Sequence, residues 1–170
     1  MNASNTTDKV LSLRDGRVLC YAEYGDPSGK PFFFFHGLPG SRRQRHPDNS
    51  IASEIGARII AIDRPGYGLS DFQPGRKLLD WPGDVAQLAD CLKIEQFSAI
   101  GVSGGGPYLL ACAYKMPERM DDEWHLHVFD LAGLLAMIPR GLRVTRVEGI
   151  PFRWLPLRYV VRCESNPREG

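Results

Sequence analysis

Apolar positions along this chain change period several times, and each change marks an element. Lys9 to Leu13 and Arg17 to Glu23 flank Arg14-Asp15-Gly16, whose Asp and Gly supply turn chemistry, so the two segments predict a hairpin of paired edge strands. After the turn at residues 25–29, Pro31-Phe32-Phe33-Phe34-Phe35 is a continuous apolar run and predicts a central parallel strand buried on both faces. Asp48 to Ile55 has helical character and stops at Gly56, and Arg58 to Ile62 reads as a second buried strand ending at Asp63. Val85, Leu88, Ala89 and Leu92 recur at the spacing of one helix face within Trp81 to Leu92. Phe97 to Ile100 follows as a third buried strand, and a helix from about Gly105 to Lys115 ends before Pro117.

Strands alternating with helices across short connections predict an α/β fold, with an antiparallel edge hairpin followed by mostly parallel strands and flanking helices. Ligands in such sheets sit at the carboxyl ends of the strands. Three polar or glycine-rich loops leave those ends: His36-Gly37-Leu38-Pro39-Gly40-Ser41, Asp63-Arg64-Pro65-Gly66-Tyr67-Gly68 and Gly101-Val102-Ser103-Gly104-Gly105-Gly106. All three are expected on one side.

The third loop carries chemistry. Gly101-Val102-Ser103-Gly104-Gly105 fits G-x-S-x-G between a strand and a helix, where a sharp turn holds the serine in a strained backbone and its neighbours must lack bulk. The following helix points its N-terminus at Ser103, so backbone N–H groups, that of Gly104 among them, are placed to stabilise an oxyanion. The competing reading is a glycine-rich turn that binds phosphate or nothing. Against phosphate, the segment lacks the G-K-[ST] ending of a P-loop and the G-x-G-x-x-G spacing.

Bulk properties remove several classes. With 170 residues, 43% of them hydrophobic, the chain is long enough for one domain with a sizeable core. Its 21 Lys and Arg balance 20 Asp and Glu for a net charge of +1, so no electrostatic footprint points to nucleic acid. Apolar runs such as Phe32 to Phe35 and Leu131 to Ile138 fall far short of the roughly 20 residues that span a bilayer. Cys20, Cys91, Cys112 and Cys163 are scattered, with no metal-ligand or redox spacing, so no metal is expected and a reduced, cytoplasmic chain is. The polar N-terminus MNASNTTDKV lacks the features of a secretory signal.

Taken together, HGLPGS, DRPGYGLSD and GVSGGG, each after a buried strand and in this order, resemble the α/β-hydrolase family over Lys9 to about Met120. The resemblance implies a serine hydrolase acting on a small-molecule ester or related acyl bond, without a cofactor. Ser103 is then the nucleophile, Gly101 and Gly105 shape the elbow, and Leu38 supplies the second oxyanion-hole N–H beside that of Gly104. His36 and Gly37 shape their loop, and His36 is not the base. A serine at the elbow argues against the dehalogenase and epoxide-hydrolase branches, whose nucleophile is an aspartate. Arg64 and Asp63 are expected to form a buried ion pair rather than to bind an acidic substrate. Tyr67 and Phe72 either line the pocket or pack, and Arg42, Arg43, Arg45 and His46 read as a solvated loop.

In this family an acid and then a histidine follow the nucleophile. The downstream histidines are His125 and His127, in a segment that reads as the strand beside the elbow strand. At about 3.3 Å per residue its first residues would lie on the order of 10–15 Å from Ser103, too far for either to act. Asp130, at the end of that strand, is the candidate acid, and the base is unassigned. Residues 121–170 differ in character from 1–120: after Lys115 no lysine appears, and arginines recur among prolines. A strand and a cap-like helix are one expectation for that tail; a truncated or frame-shifted reading of a longer gene is the favoured one. Either a triad-less, inactive fragment or a binding protein is the alternative to an enzyme. A sheet cut after its fifth or sixth strand leaves an unpaired edge, so self-association is expected.

Overall fold

The computed structural model describes residues 8–44, 48, 50–121, 125–128, 142–152 and 155–165, the last three groups as backbone. In chain order the elements are β1 (Asp8–Ser12), β2 (Val18–Gly25), β3 (Lys30–Phe35), α1 (Ser50–Glu54), β4 (Ala57–Ile62), α2 (Trp81–Cys91), β5 (Ser98–Val102), α3 (Gly106–Lys115), β6 (His125–Val128), β7 (Leu142–Phe152) and β8 (Leu155–Ser165). Among the described residues they build one eight-stranded sheet in the order β1-β2-β4-β3-β5-β6-β8-β7. The β1–β2 hairpin is antiparallel and β2 pairs antiparallel with β4, whereas β4, β3, β5 and β6 run parallel. This is the α/β architecture that the alternating pattern predicts, with β3 at its centre.

The two faces of the sheet are covered unequally. Phe33, Phe35, Ile60, Ile62 and Ala99 point to one face and meet Trp81, Val85 and Leu88 of α2 and Leu109 and Cys112 of α3 in the main core. Phe33 stacks on Phe97 with ring centroids 4.3 Å apart, and Phe35 meets Trp81 edge-on at 5.4 Å. On the other face Ala22, Tyr24 and Ala61 form a small cluster against which Phe34 and Ile59 are only partly buried. The expectation that β3 is buried on both faces is therefore corrected. Its cause is α1, which has only five residues, none of them buried.

Beyond residue 121 the described residues add three strands to the sheet. The sixth strand, β6, forms, and among the described residues β7 and β8 pair antiparallel and β8 pairs with β6. The β-branched residues Val144, Thr145, Val147, Ile150, Val160 and Val161 favour extended backbone there. The edge expected at β6 is thus covered, and β7 becomes the sheet's outer strand.

A buried charge network fastens β1 to the carboxyl end of the sheet. Asp63, fully buried, accepts from the Arg42 backbone N–H and Nη1, each at 2.5 Å, and from the Leu69 N–H at 3.0 Å. The same Arg42 guanidinium donates to both carboxylate oxygens of Asp8 in β1. The Arg42 and Arg43 hydrogen bonds lower the Asp8 carboxyl from an ordinary 3.8 to about 2. Arg42 is accordingly buried rather than solvated, and it, not Arg64, is the ion-pair partner of Asp63. Both sequence expectations are corrected: a fully buried carboxylate must be paired, but residues 21 apart in the chain meet only through the fold.

At the β5–α3 turn two stretches of backbone approach closely. A Cβ on Gly105 would stand 2.1 Å from the Phe35 carbonyl oxygen and 2.9 Å from that of His36, and one on Gly101 would stand 2.9 Å from the Gly105 oxygen. Glycine at both positions lets the turn seat against the end of β3.

Gly105→Ala is expected to lower stability by about 1–3 kcal/mol, because the backbone must shift to admit the methyl group. An unchanged urea midpoint would contradict the close approach. Between pH 3.8 and about 2 the unfolded chain binds a proton at Asp8 that the native protein does not. The stability from this carboxylate is therefore fully present above pH 3.8 and is lost as pH falls toward 2. An acid series of urea midpoints should decline through that window in the native sequence and decline less in Asp8→Asn; parallel curves would rule out the coupling.

Candidate active site

Parallel, in-register pairing decides where the three loops leave the sheet. Phe35 is opposite Ile62 in β4 and Gly101 in β5, so the chains that follow β3, β4 and β5 emerge side by side. Ser103 stands first in a 3-10 turn, Ser103–Gly105, that runs directly into α3. Its φ of 49° is left-handed, one of two such values at non-glycine residues among those described. A non-glycine residue holds that conformation only where its surroundings impose it. The strained strand-to-helix turn expected for G-x-S-x-G is thus present, with Ser103 half-buried at its apex.

The loop after β3 lies against this turn. A Cβ on Gly37 would stand 3.4 Å from the Ser103 Cβ, and one on Gly104 would stand 3.6 Å from the Leu38 nitrogen. Gly37 donates its N–H to Gln44 Oε1 at 2.9 Å, and the Leu38–Pro39 peptide is cis. The structure therefore brings Leu38, Gly104, Gly37 and Ser103 into one small region.

His36 is completely buried and both ring nitrogens are engaged. Nδ1 lies 2.8 Å from the Gly37 carbonyl, which can only accept, so Nδ1 carries the proton. Nε2 accepts from the Arg64 backbone N–H at 3.2 Å. These partners require the neutral ring, and burial shifts the imidazole pKa downward in agreement. A histidine with no free nitrogen and a tautomer fixed by two backbone groups shapes its loop.

Arg64 is the residue whose part sequence reasoning missed. Its Nη2 donates to the Gly37 carbonyl and its Nη1 to the Gly104 carbonyl, both at 2.9 Å. The guanidinium carbon lies 4.7 Å from the ring centroids of both Tyr67 and Tyr108. Tyr67 packs here, and also edge-on against His36, whereas Phe72 is 72% exposed. No spacing rule pairs an arginine after β4 with carbonyls after β3 and β5, so this contact had no signal in the sequence.

The downstream residues require one correction. β6 is parallel to β5 with His125 opposite Ile100 and His127 opposite Val102. The strand starts later, relative to β5, than full side-by-side alignment requires, so the backbone of His127 is opposite Val102, next to the elbow, instead of at the far end of the sheet. Asp130, Arg45 and His46 lie outside the described residues. A shallow concavity lined by Asp90, Lys93, Ile94, Glu95 and Arg119 lies near the amino-terminal end of β5, away from the elbow.

Comparison with known proteins agrees with this arrangement. Residues 30–128 match the family model for the alpha/beta hydrolase fold. The chain is 36% identical to the non-heme chloroperoxidase of Streptomyces lividans over 57% of its own length and 36% of that protein's. It is 29% identical to the proline iminopeptidase of Xylella fastidiosa over 76% of its own length and 45% of that protein's. Among solved structures, an epoxide hydrolase from Vigna radiata superposes with a TM-score of 0.59 at 22% identity, covering 74% of this chain and 39% of that one. The chain spans less than half the length of the curated relatives it matches. With the family match extending over more than half of its residues, and with the strand order and loops that such a match requires, the protein belongs to the alpha/beta hydrolase fold family.

Proposed function

We propose that the protein is a hydrolase in which Ser103 is the nucleophile toward an ester or related acyl bond. The observation that carries this reading is the left-handed Ser103 backbone at the junction of β5 and α3, beside the Leu38 loop. The Ser103 oxygen attacks the carbonyl carbon, its proton passes to a base, and the carbonyl electron pair moves onto oxygen. Backbone N–H groups of Leu38 and Gly104, with the N-terminal turn of α3 behind them, stabilise that oxyanion. Collapse of the adduct expels the leaving group with a proton, and water then releases the acyl group by the same route. Gly101 and Gly105 give the turn room, and His36 and Gly37 hold the Leu38 loop.

The base is not His36, whose nitrogens are committed. The register makes His127 the histidine to test, with Asp130, two residues beyond β6 in the chain, as the proposed acid. The second reading is a non-catalytic protein that uses the same loops to bind a small apolar ligand or a partner, and it follows if no histidine serves Ser103. The relatives' names cover a chloroperoxidase, an iminopeptidase and epoxide hydrolases, so the substrate is proposed at the level of an acyl compound.

Among the described residues, no helix is long and apolar enough to cross a membrane, and no group of His, Cys, Asp and Glu could hold a metal ion. Cys20, Cys91 and Cys112 are free thiols, which supports a reducing compartment such as the cytoplasm. The outer edge of the 11-residue strand β7 supports self-association by strand pairing.

A fluorophosphonate probe should label the native chain and leave Ser103→Ala unlabelled. His127→Gln should slow labelling by about 100-fold or more if His127 is the base. Folded protein that resists the probe would support the non-catalytic reading, and an unaltered rate in His127→Gln would exclude that residue. Sedimentation at increasing concentration should show a rising average mass; a constant monomer mass would remove the edge-pairing proposal.

A further inference from the structure

The Arg64 guanidinium joins the two loops that carry the proposed oxyanion donors. A trans peptide is planar, so the Gly37 carbonyl and the Leu38 N–H point in opposite directions within one rigid unit. Whatever holds the Gly37 oxygen therefore aims the Leu38 N–H. Two donors hold it, His36 Nδ1 at 2.8 Å and Arg64 Nη2 at 2.9 Å. The other terminal nitrogen of Arg64 holds the Gly104 oxygen at 2.9 Å, on the turn that contains the nucleophile. One planar group thus sets the spacing between the Leu38 peptide and the elbow.

The guanidinium itself has little freedom. Tyr67, from the loop after β4, and Tyr108, from α3, place their rings 4.7 Å from its central carbon. Tyr108 is in turn held edge-on by the fully buried Trp81, with centroids 5.5 Å apart. Arg64 is 4% exposed, and its Nε is buried without a hydrogen-bond partner. Asp63, its chain neighbour, is occupied by Arg42. The cation is thus met by carbonyl dipoles and ring faces, and a Cβ on Gly104 would stand 3.7 Å from Nη1. That leaves a positive field close to the place where negative charge would develop on the substrate.

We propose that Arg64 is a positioning residue that aims the Leu38 N–H into the oxyanion hole and fixes its distance from the Ser103 turn. The proposal rests on Ser103 being the nucleophile. A donor preset for the developing oxyanion acts in the transition state and adds little to ground-state binding, so its loss appears in the rate of the chemical step. Lysine keeps the charge at this position but cannot donate to both carbonyls in one plane.

The test is saturation kinetics of fluorophosphonate labelling, separating the maximal inactivation rate from the half-saturating probe concentration. Arg64→Lys and Arg64→Ala are compared with the native chain, and near-UV circular dichroism identifies the folded variants. The maximal rate is expected to fall by about 10-fold to 100-fold in Arg64→Lys, less than the complete loss of an oxyanion donor, while half-saturation stays within about twofold. Guanidinium chloride at low millimolar concentration is expected to restore part of the rate in folded Arg64→Ala, and tetramethylammonium chloride is not. If Arg64→Ala does not fold, the Arg64→Lys result decides. An unchanged maximal rate in a folded Arg64 variant, or a change confined to half-saturation, would overturn the positioning role while Ser103 stands. An unlabelled native chain would instead defeat the Ser103 reading on which it rests.

Discussion

The contact between Gly105 and the carbonyl of Phe35 determines how the carboxyl end of the sheet is put together. With room for no side chain at that point, the β5–α3 turn seats directly on the end of β3. This close approach places the His36–Gly37–Leu38 loop beside Ser103. Parallel pairing does the rest: since β3 is flanked in register by β4 and β5, the loop bearing Arg64 emerges next to the other two. A left-handed serine, an adjoining Leu38 loop and a bridging guanidinium thus follow from one steric constraint applied to three adjacent strands.

Two buried arginines divide the structural work differently. Arg42 is matched by carboxylates, Asp63 in the interior and Asp8 at the edge strand, so it binds the hairpin to the sheet. Arg64 is held by the Gly37 and Gly104 carbonyls and by two tyrosine rings. A cation compensated by carboxylates contributes cohesion with little external field; one surrounded by dipoles keeps more of its charge available to a neighbouring anion. The arrangement puts the compensated cation at the outer strands and the less compensated one against the elbow.

The two faces of the sheet are covered to different depths. Phe33 and Phe35 are sealed beneath α2 and α3, whereas Phe34 on the other face meets a small cluster beside a five-residue helix. The chain covers less than half of the curated relatives' length, and β8 and β7 extend the sheet beyond β6. Among the described residues β4, β3 and β5, which carry the three loops, are each paired on both sides.

Local pattern made much of this legible. Apolar periodicity located β3, β4, α2, β5 and α3 to within a few residues, because strands and helices bury side chains at periods of two and 3.6 that the sequence itself displays. Ser103 was legible for the same reason: a sharp turn demands glycine at fixed offsets, and Gly101 and Gly105 stand there. What the sequence left open were the partners of Asp63, Arg42 and Arg64 and the register of His127. Asp63 could have met any of several arginines, and β6 could have started at any point along β5, since both outcomes join residues far apart in the chain. Chain order and side-chain chemistry determined the elements and the glycine-flanked turn at Ser103. The tertiary structure alone decided the charge pairing, the tautomer of His36 and the bridge at Arg64, because those depend on distances that exist only after the strands have aligned.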